Sequence, residues 1–213
     1  MKLNKRTIQI ACDGGAATGK STGAKMIARK YKLKFLSSGL LYRYASFLLL
    51  KYKPINQINF LKNKFKKLNY KKINKFNLHT QEISNFSAIV AKKSAIREIL
   101  KNFQIAFVKK NKNCCIEGRD IATKILPNSD LKFFFKCNLN VAAYRRFKEL
   151  KKRNNKIKLK DVKKALRIRN NHDLKRKNSP LKKHRNAIEI ATDKLNKQEM
   201  LKKMSKHVTK LLK

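Results

Sequence analysis

The chain of 213 residues carries 56 Lys and Arg against 12 Asp and Glu, a formal net charge of +44, with 42% hydrophobic residues. That length and apolar content suit one α/β domain with a sizeable core and exclude wholesale disorder. Lysine supplies 44 of the basic residues and arginine 12, and with 21 asparagines they are spread along the whole chain, which marks a compositional bias rather than a localised nucleic-acid surface.

In chain order, short apolar and β-branched runs predict strands at 7–12, 34–36, 113–116, 131–136 and 187–190. Helical patterns fall between them, at 20–31, 40–51, 80–92, 95–110, 141–152, 160–170 and 196–212. The alternation is that of a parallel sheet with crossover helices. In the last helix Leu201, Met204, Val208 and Leu211 share one face, as core packing requires. Two stretches break the rhythm. Residues 52–78 are rich in Lys, Asn and Gln around Phe65, Leu68, Tyr70, Ile73 and Phe76, open to either a short hairpin or an irregular helical insert. Residues 151–180 are highly charged and delay the return to the final strand.

No apolar run approaches the roughly 20 residues of a membrane span. The apolar stretch after the basic N-terminus stops at Asp13, too soon for a secretory signal, so a cytoplasmic protein is expected. Cys12, Cys114, Cys115 and Cys137 lack zinc-ligand spacing and read as reduced core thiols. The four histidines form no ligand cluster.

Glycine is scarce, and its placement is informative. Of six glycines, Gly14, Gly15, Gly19 and Gly23 lie in or beside Gly14-Gly15-Ala16-Ala17-Thr18-Gly19-Lys20-Ser21, a full match to G-x-x-x-x-G-K-[ST] between a strand and a helix. In such a loop successive backbone N–H groups face a polyphosphate, the lysine reaches the β- and γ-phosphates, and the hydroxyl after it meets Mg²⁺. The loop therefore predicts an ATP site over Gly14, Gly15, Ala16, Ala17, Thr18, Gly19, Lys20, Ser21 and Thr22, with Ser21 as the Mg²⁺ contact. The remaining glycines, Gly39 and Gly118, also fall at predicted strand ends, where ligands bind in parallel sheets.

Further segments follow in order: Ser37-Ser38-Gly39-Leu40-Leu41-Tyr42-Arg43, Thr80-Gln81-Glu82-Ile83, Ile116-Glu117-Gly118-Arg119-Asp120, Tyr144-Arg145-Arg146-Phe147, Arg169-Asn170-Asn171-His172-Asp173-Leu174-Lys175-Arg176 and Ser179-Pro180-Leu181. Together with the phosphate loop they closely resemble bacterial cytidylate kinases, P-loop nucleoside monophosphate kinases, over about residues 8–195. The Gly-Arg-Asp element and the R-x-x-x-D-x-x-R spacing carry more of that resemblance than the generic loop does.

The resemblance implies an α/β P-loop kinase fold: a five-stranded parallel sheet flanked by helices, with a shortened acceptor insert and a lid. It places these in one domain over 1–213, with a core of 1–51, 80–150 and 181–213, an insert at about 52–79 and a lid at about 151–180. It implies ATP-dependent, Mg²⁺-assisted phosphoryl transfer to CMP and dCMP by a monomer, with no membrane and no specific nucleic-acid partner. Lys20, Arg119, Arg169 and Arg145 are the catalytic cations on this reading. Ser38, Arg43, Arg97, Arg119, Asp120, Arg169, Asp173 and Arg176 contact CMP: Arg43, Arg119 and Arg169 at its phosphate, Arg97 and Asp120 at the cytosine edge, Asp173 with Arg176 at the ribose. Arg145, Arg146 and Arg153 belong to the lid and its hinge. Eight of the twelve arginines take such positions in a chain that prefers lysine, as a site needing bidentate phosphate forks demands.

The chain departs from the family pattern at Gly15, where proline is usual, and at Ser37, where an acid is. His79 replaces an arginine, and Ala88 a base-contacting serine, with Ser87 about 100° round the helix. Two alternatives stay open: a monophosphate kinase of shifted base choice, such as UMP, and a basic RNA-binding protein with a P-loop.

Overall fold

The computed structural model describes residues 7–152 and 155–212. Strand β1 (Gln9–Gly14) is buried from Ile10 onward, as a strand covered on both faces must be. On one side it pairs in parallel with β3 (Cys114–Gly118), Ile10 level with Cys115 and Asp13 level with Gly118. On the other side lies parallel β4 (Leu131–Lys136), which pairs in turn with parallel β5 (Ile188–Ala191). With β2 (Lys34–Ser37) outside β3, the parallel sheet runs β2-β3-β1-β4-β5. β1 is thus central, and its carboxyl end is where such sheets gather ligands.

The chain divides into two compact units, one of Met1–Leu36 with Lys112–Lys213 and one of Ser37–Asn111. In the first, α1 (Lys20–Lys30) and α8 (Lys197–Leu212) present small and flexible apolar side chains to the sheet. Ala24, Ile27 and Ala28 meet Met200, Met204 and Val208 over Ile10, Cys12, Phe133, Phe135 and Ile190. Each large side chain fully buried there contributes about 1.5–3 kcal/mol. A second, smaller cluster seats α6 (Leu139–Lys151) and α7 (Leu159–Lys175) around Ala16, with Ala143, Val162 and Leu166 buried and Ala17 packed against them.

The second unit is helical: α2 (Ser38–Tyr52), α3 (Gln57–Lys66), a 3₁₀ turn at Tyr70–Lys75, α4 (Gln81–Val90) and α5 (Ser94–Lys110). It takes in α2, α4 and α5 as well as the stretch 52–79 that the sequence sets apart. No hairpin forms there, because Phe65, Leu68, Tyr70, Ile73 and Phe76 recur mostly every three residues, which suits helical turns and not a pleat. Phe65 and Ile73 are buried, Tyr44 packs edge-on against Phe65, and Phe65 in turn against Phe103. Other expected elements are found within a few residues of their predicted ends; β1 runs two residues further, into the phosphate loop, and α7 extends to Lys175. Cys12, Cys114 and Cys115 are buried free thiols and Cys137 is half-buried. Among the described residues no helix is long and apolar enough to cross a membrane.

Candidate active site

The phosphate loop leaves β1 at Gly14, where a Cβ would sit 2.5 Å from the Phe135 carbonyl oxygen, so only glycine lets the two backbones meet. The loop closes at Gly19, in the left-handed region at φ 82°, as the residue before α1. Ala17 also takes a positive φ, 58°, a conformation costly for a residue with a Cβ and held here by its seat on α6 and α7. No side chain caps the start of α1, so its first amides keep their positive end toward the loop.

Distant residues hold the loop's polar groups. The Thr18 hydroxyl donates to the Gly15 carbonyl at 3.1 Å, and the Thr18 carbonyl accepts from the Thr192 hydroxyl at 2.9 Å. The Ala16 amide donates to Asn170 Oδ1 of α7 at 3.0 Å. Lys20 Nζ lies 2.7 Å from Glu117 Oε2 at the end of β3, and both side chains are buried. Burial pushes the Lys20 pKa down, while the Glu117 charge opposes that shift.

Asp13 accepts two amides, from Ile121 at 2.9 Å and Ala122 at 2.7 Å. It thereby anchors a π-helical turn (Ile121–Ile125) directly after Arg119 and Asp120. Burial raises its carboxyl to about 7 against those two amide bonds, which lower it. Among the described residues no group of three or more His, Cys, Asp or Glu could cage a metal. Ser21, exposed on the first turn of α1, fits a single hydroxyl contact to a Mg²⁺ carried by nucleotide phosphates. Glu117 and Asp13 are already committed to Lys20 and to the turn.

Beside the loop stands a cluster of opposed charges. Arg119 Nε donates to Asp173 Oδ2 at 2.7 Å. Arg176 lies 3.5 Å from Asp173 Oδ1 and 3.8 Å from Asp120 Oδ1, and its Nε donates to the Ser179 carbonyl at 2.6 Å. Arg169 and Asp173, four residues apart, share one face of α7, and Arg176 follows its last residue directly. Burial disfavours charge on Arg119, yet Asp173 holds its pKa up; conversely burial raises Asp173, and Arg119, with Arg169 and Arg176, brings it below the usual carboxylate range. The Arg169 charge acts on both Lys20 and Asp173. The structure thus brings Lys20, Arg119, Asp120, Arg169, Asp173 and Arg176 together within one unit.

Arg145 lies elsewhere, on α6, with Nη2 donating to the Thr192 carbonyl at 2.6 Å and Nη1 to the Thr192 hydroxyl at 3.2 Å. It therefore braces, through Thr192, the Thr18 carbonyl of the phosphate loop. Arg146 pairs with Glu149 on the surface, and Arg153 lies outside the described residues.

Ser38, Arg43 and Arg97 belong to the other unit. Ser37 caps α2, its hydroxyl accepting the Leu40 amide at 3.3 Å while its own amide donates to the Tyr70 hydroxyl at 2.8 Å. Ser38 begins α2 and is buried. Arg43 donates to the Leu78 carbonyl at 2.8 Å and to Ser84 Oγ at 3.1 Å, and Arg97 stands over the Tyr42 ring and donates to the Ala91 carbonyl at 3.3 Å. The Ser87 hydroxyl bonds back to the Ser84 carbonyl at 2.8 Å, a local use that does not replace a hydroxyl at Ala88.

Sequence reasoning missed Asn170 and Thr192, and did not foresee the pairing of Glu117 with Lys20. Thr192 sits one residue past β5, and the rule that strand ends build sites finds it. Asn170, one of 21 asparagines, carries no such signal.

A family model described as cytidylate kinase matches residues 10–210. A cytidylate kinase of Rickettsia conorii is 32% identical over 93% of this chain and 90% of its own length. One from Listeria innocua is 34% identical over 93% and 95%. Among solved structures, shikimate kinase from Bacteroides thetaiotaomicron shares the fold with a TM-score of 0.51 at 11% identity, covering 97% of this chain and 99% of that one. A protein from Eubacterium ventriosum does so with a TM-score of 0.54 at 16% identity, covering 95% and 98%.

Proposed function

The chain belongs to the cytidylate kinase family, and on that premise we propose that it transfers the terminal phosphoryl group of ATP, with Mg²⁺, to CMP and dCMP, releasing ADP and the diphosphate. One observation carries this reading: Asp13 and Gly118 are level on paired strands, so the phosphate loop and Arg119 emerge side by side, and Asp173 orients the guanidinium. Transfer between phosphates asks for little else, because the acceptor phosphate is already a nucleophile and positioning with charge neutralisation supplies the rest. Lys20, Arg119 and Arg169 are the cations proposed to neutralise the transferring group, with Arg145 setting the loop through Thr192. Arg43 is proposed to grip the acceptor phosphate with Arg119 and Arg169. Ser38, Arg97 and Asp120 are proposed to contact the rest of CMP, and Asp173 with Arg176 its ribose. The same reading makes the protein a cytoplasmic monomer acting on small nucleotides.

Base choice is the weakest determinant. Ala88 offers no hydrogen bond and Ser87 is committed to Ser84, a loss worth about 1 kcal/mol against cytosine. An ADP-release assay over CMP, dCMP, UMP and AMP is expected to rank the two cytidylates first in kcat/KM. UMP or AMP ranking above CMP would overturn the acceptor assignment.

A further inference from the structure

The Ala16 amide belongs to the phosphate loop, the segment whose N–H groups bind a polyphosphate, yet it is bonded to the Asn170 carboxamide at 3.0 Å. Asn170 lies between Arg169 and Asp173 on α7, and α7 otherwise touches the loop through apolar packing of Val162 and Leu166 on Ala16. Asn170 Oδ1 also stands 3.3 Å from where a Gly15 Cβ would be, so the carboxamide packs against Gly15 as well as bonding Ala16. A neutral carboxamide oxygen and a phosphate oxygen cannot both take one N–H, and the charge-assisted bond is about twice as strong.

We propose that Asn170 is a positioning residue: it occupies the Ala16 amide in competition with the donor phosphate, so that donor binding releases α7 and the arginine and aspartate it carries. The inference rests on the phosphate loop being the donor site. Its consequence is reciprocal, because whatever loosens α7 from Ala16 favours the donor, and the donor frees the helix that holds Arg169 and Asp173. Asn170 thus opposes donor binding in the ground state, whereas a residue that simply contacts nucleotide would support it.

The test is a calorimetric titration of the full chain with Mg·ATP and no acceptor. Asn170→Ala is expected to bind about 2- to 10-fold more tightly, the equivalent of one net hydrogen bond removed from the competing state. Asn170→Asp, of the same shape, is expected to bind more weakly by at least as much, since a carboxylate holds the amide harder and repels phosphate. Hydrogen exchange over the C-terminal half of α7 is expected to speed up on adding ATP to the unsubstituted chain, and to be fast already in Asn170→Ala. Unchanged or weaker ATP binding by Asn170→Ala would overturn the proposal, as would tighter binding by Asn170→Asp. A folding defect in the alanine variant leaves the isosteric aspartate to decide. No ATP binding by the unsubstituted chain overturns the donor assignment and this competition with it. Because no acceptor is present, a wrong assignment of CMP leaves the titration unaffected.

Discussion

The phosphate loop and the arginine–aspartate cluster beside it handle negative charge in opposite ways. The loop is proposed to work through backbone N–H groups in eight consecutive residues, and its shape is set by Gly14 against Phe135 and Gly19 at positive φ. The cluster works through side chains from two segments some fifty residues apart, Arg119–Asp120 and Asp173–Arg176, and carries two cations and two anions. In a chain of net charge +44 this local balance matters: each guanidinium is already aimed by an acid, so the cluster supplies orientation more than raw attraction. Lys20 is likewise paired, with Glu117, and the Arg169 charge acts on both Lys20 and Asp173. Altering the loop should therefore remove chemistry, and altering the cluster should change how the acceptor is held.

The largest effect that tests this contrast is at Lys20. Lys20→Ala is expected to lower kcat by about a thousandfold or more, as removal of a transition-state donor does. It also strands Glu117, and breaking a buried pair from one side costs about 3–5 kcal/mol of stability. The double variant Lys20→Ala with Glu117→Gln removes that stranded charge, so denaturant midpoints should recover while turnover does not. Recovery of turnover along with stability would show that Lys20 is only structural.

Next in size is the anchor between the two regions, Asp13. Its folded pKa of about 7 lies above the ordinary carboxylate value of 3.8, so protonation favours the folded state. The contribution is fully present below about pH 4 and is lost as pH rises through about 7, for a total of at most about 4 kcal/mol. Asp173 runs the other way: its pKa is lowered, so its contribution persists above the ordinary range and is lost only as pH falls below it. Urea unfolding from about pH 4 to about pH 8 should show wild-type stability declining relative to Asp13→Asn across that window. Parallel pH profiles for the two proteins would refute the assignment.

The same contrast explains what the sequence made legible. Glycine and lysine spacing located the loop because backbone shape is a local property, and apolar runs located the five strands because a sheet covered on both faces needs them. The partners Asn170, Thr192 and Glu117 were not legible, since nothing in Asn170 marks it as facing Ala16 from 154 residues away. The stretch 52–78 stayed open between a hairpin and a helical insert for a physical reason as well: with lysine and asparagine filling its polar positions, its few aromatics fit either until their spacing, mostly of three, is matched to Ile73 and Phe65 buried on helical turns. Arg43 and Arg97 were chosen as site residues, and their hydrogen bonds to Leu78, Ser84 and Ala91 show how a helical unit holds a long cation still.

The smallest effect discriminates most finely. Asp120 is buried with its Oδ1 3.8 Å from Arg176, an ion pair at a separation too long for a strong hydrogen bond. If the carboxylate serves the cytosine amino group, Asp120→Ala should raise KM for CMP about tenfold and leave KM for ATP within a factor of about two. Asp120→Asn keeps the shape and one acceptor but loses the charge that faces Arg176, so it should retain more CMP affinity than alanine does. A purely structural ion pair predicts another pattern, in which both variants lower the melting temperature alike and move the two KM values together. The separation of the CMP and ATP terms, and not the size of either, decides whether the cluster reads a base or merely holds an arginine.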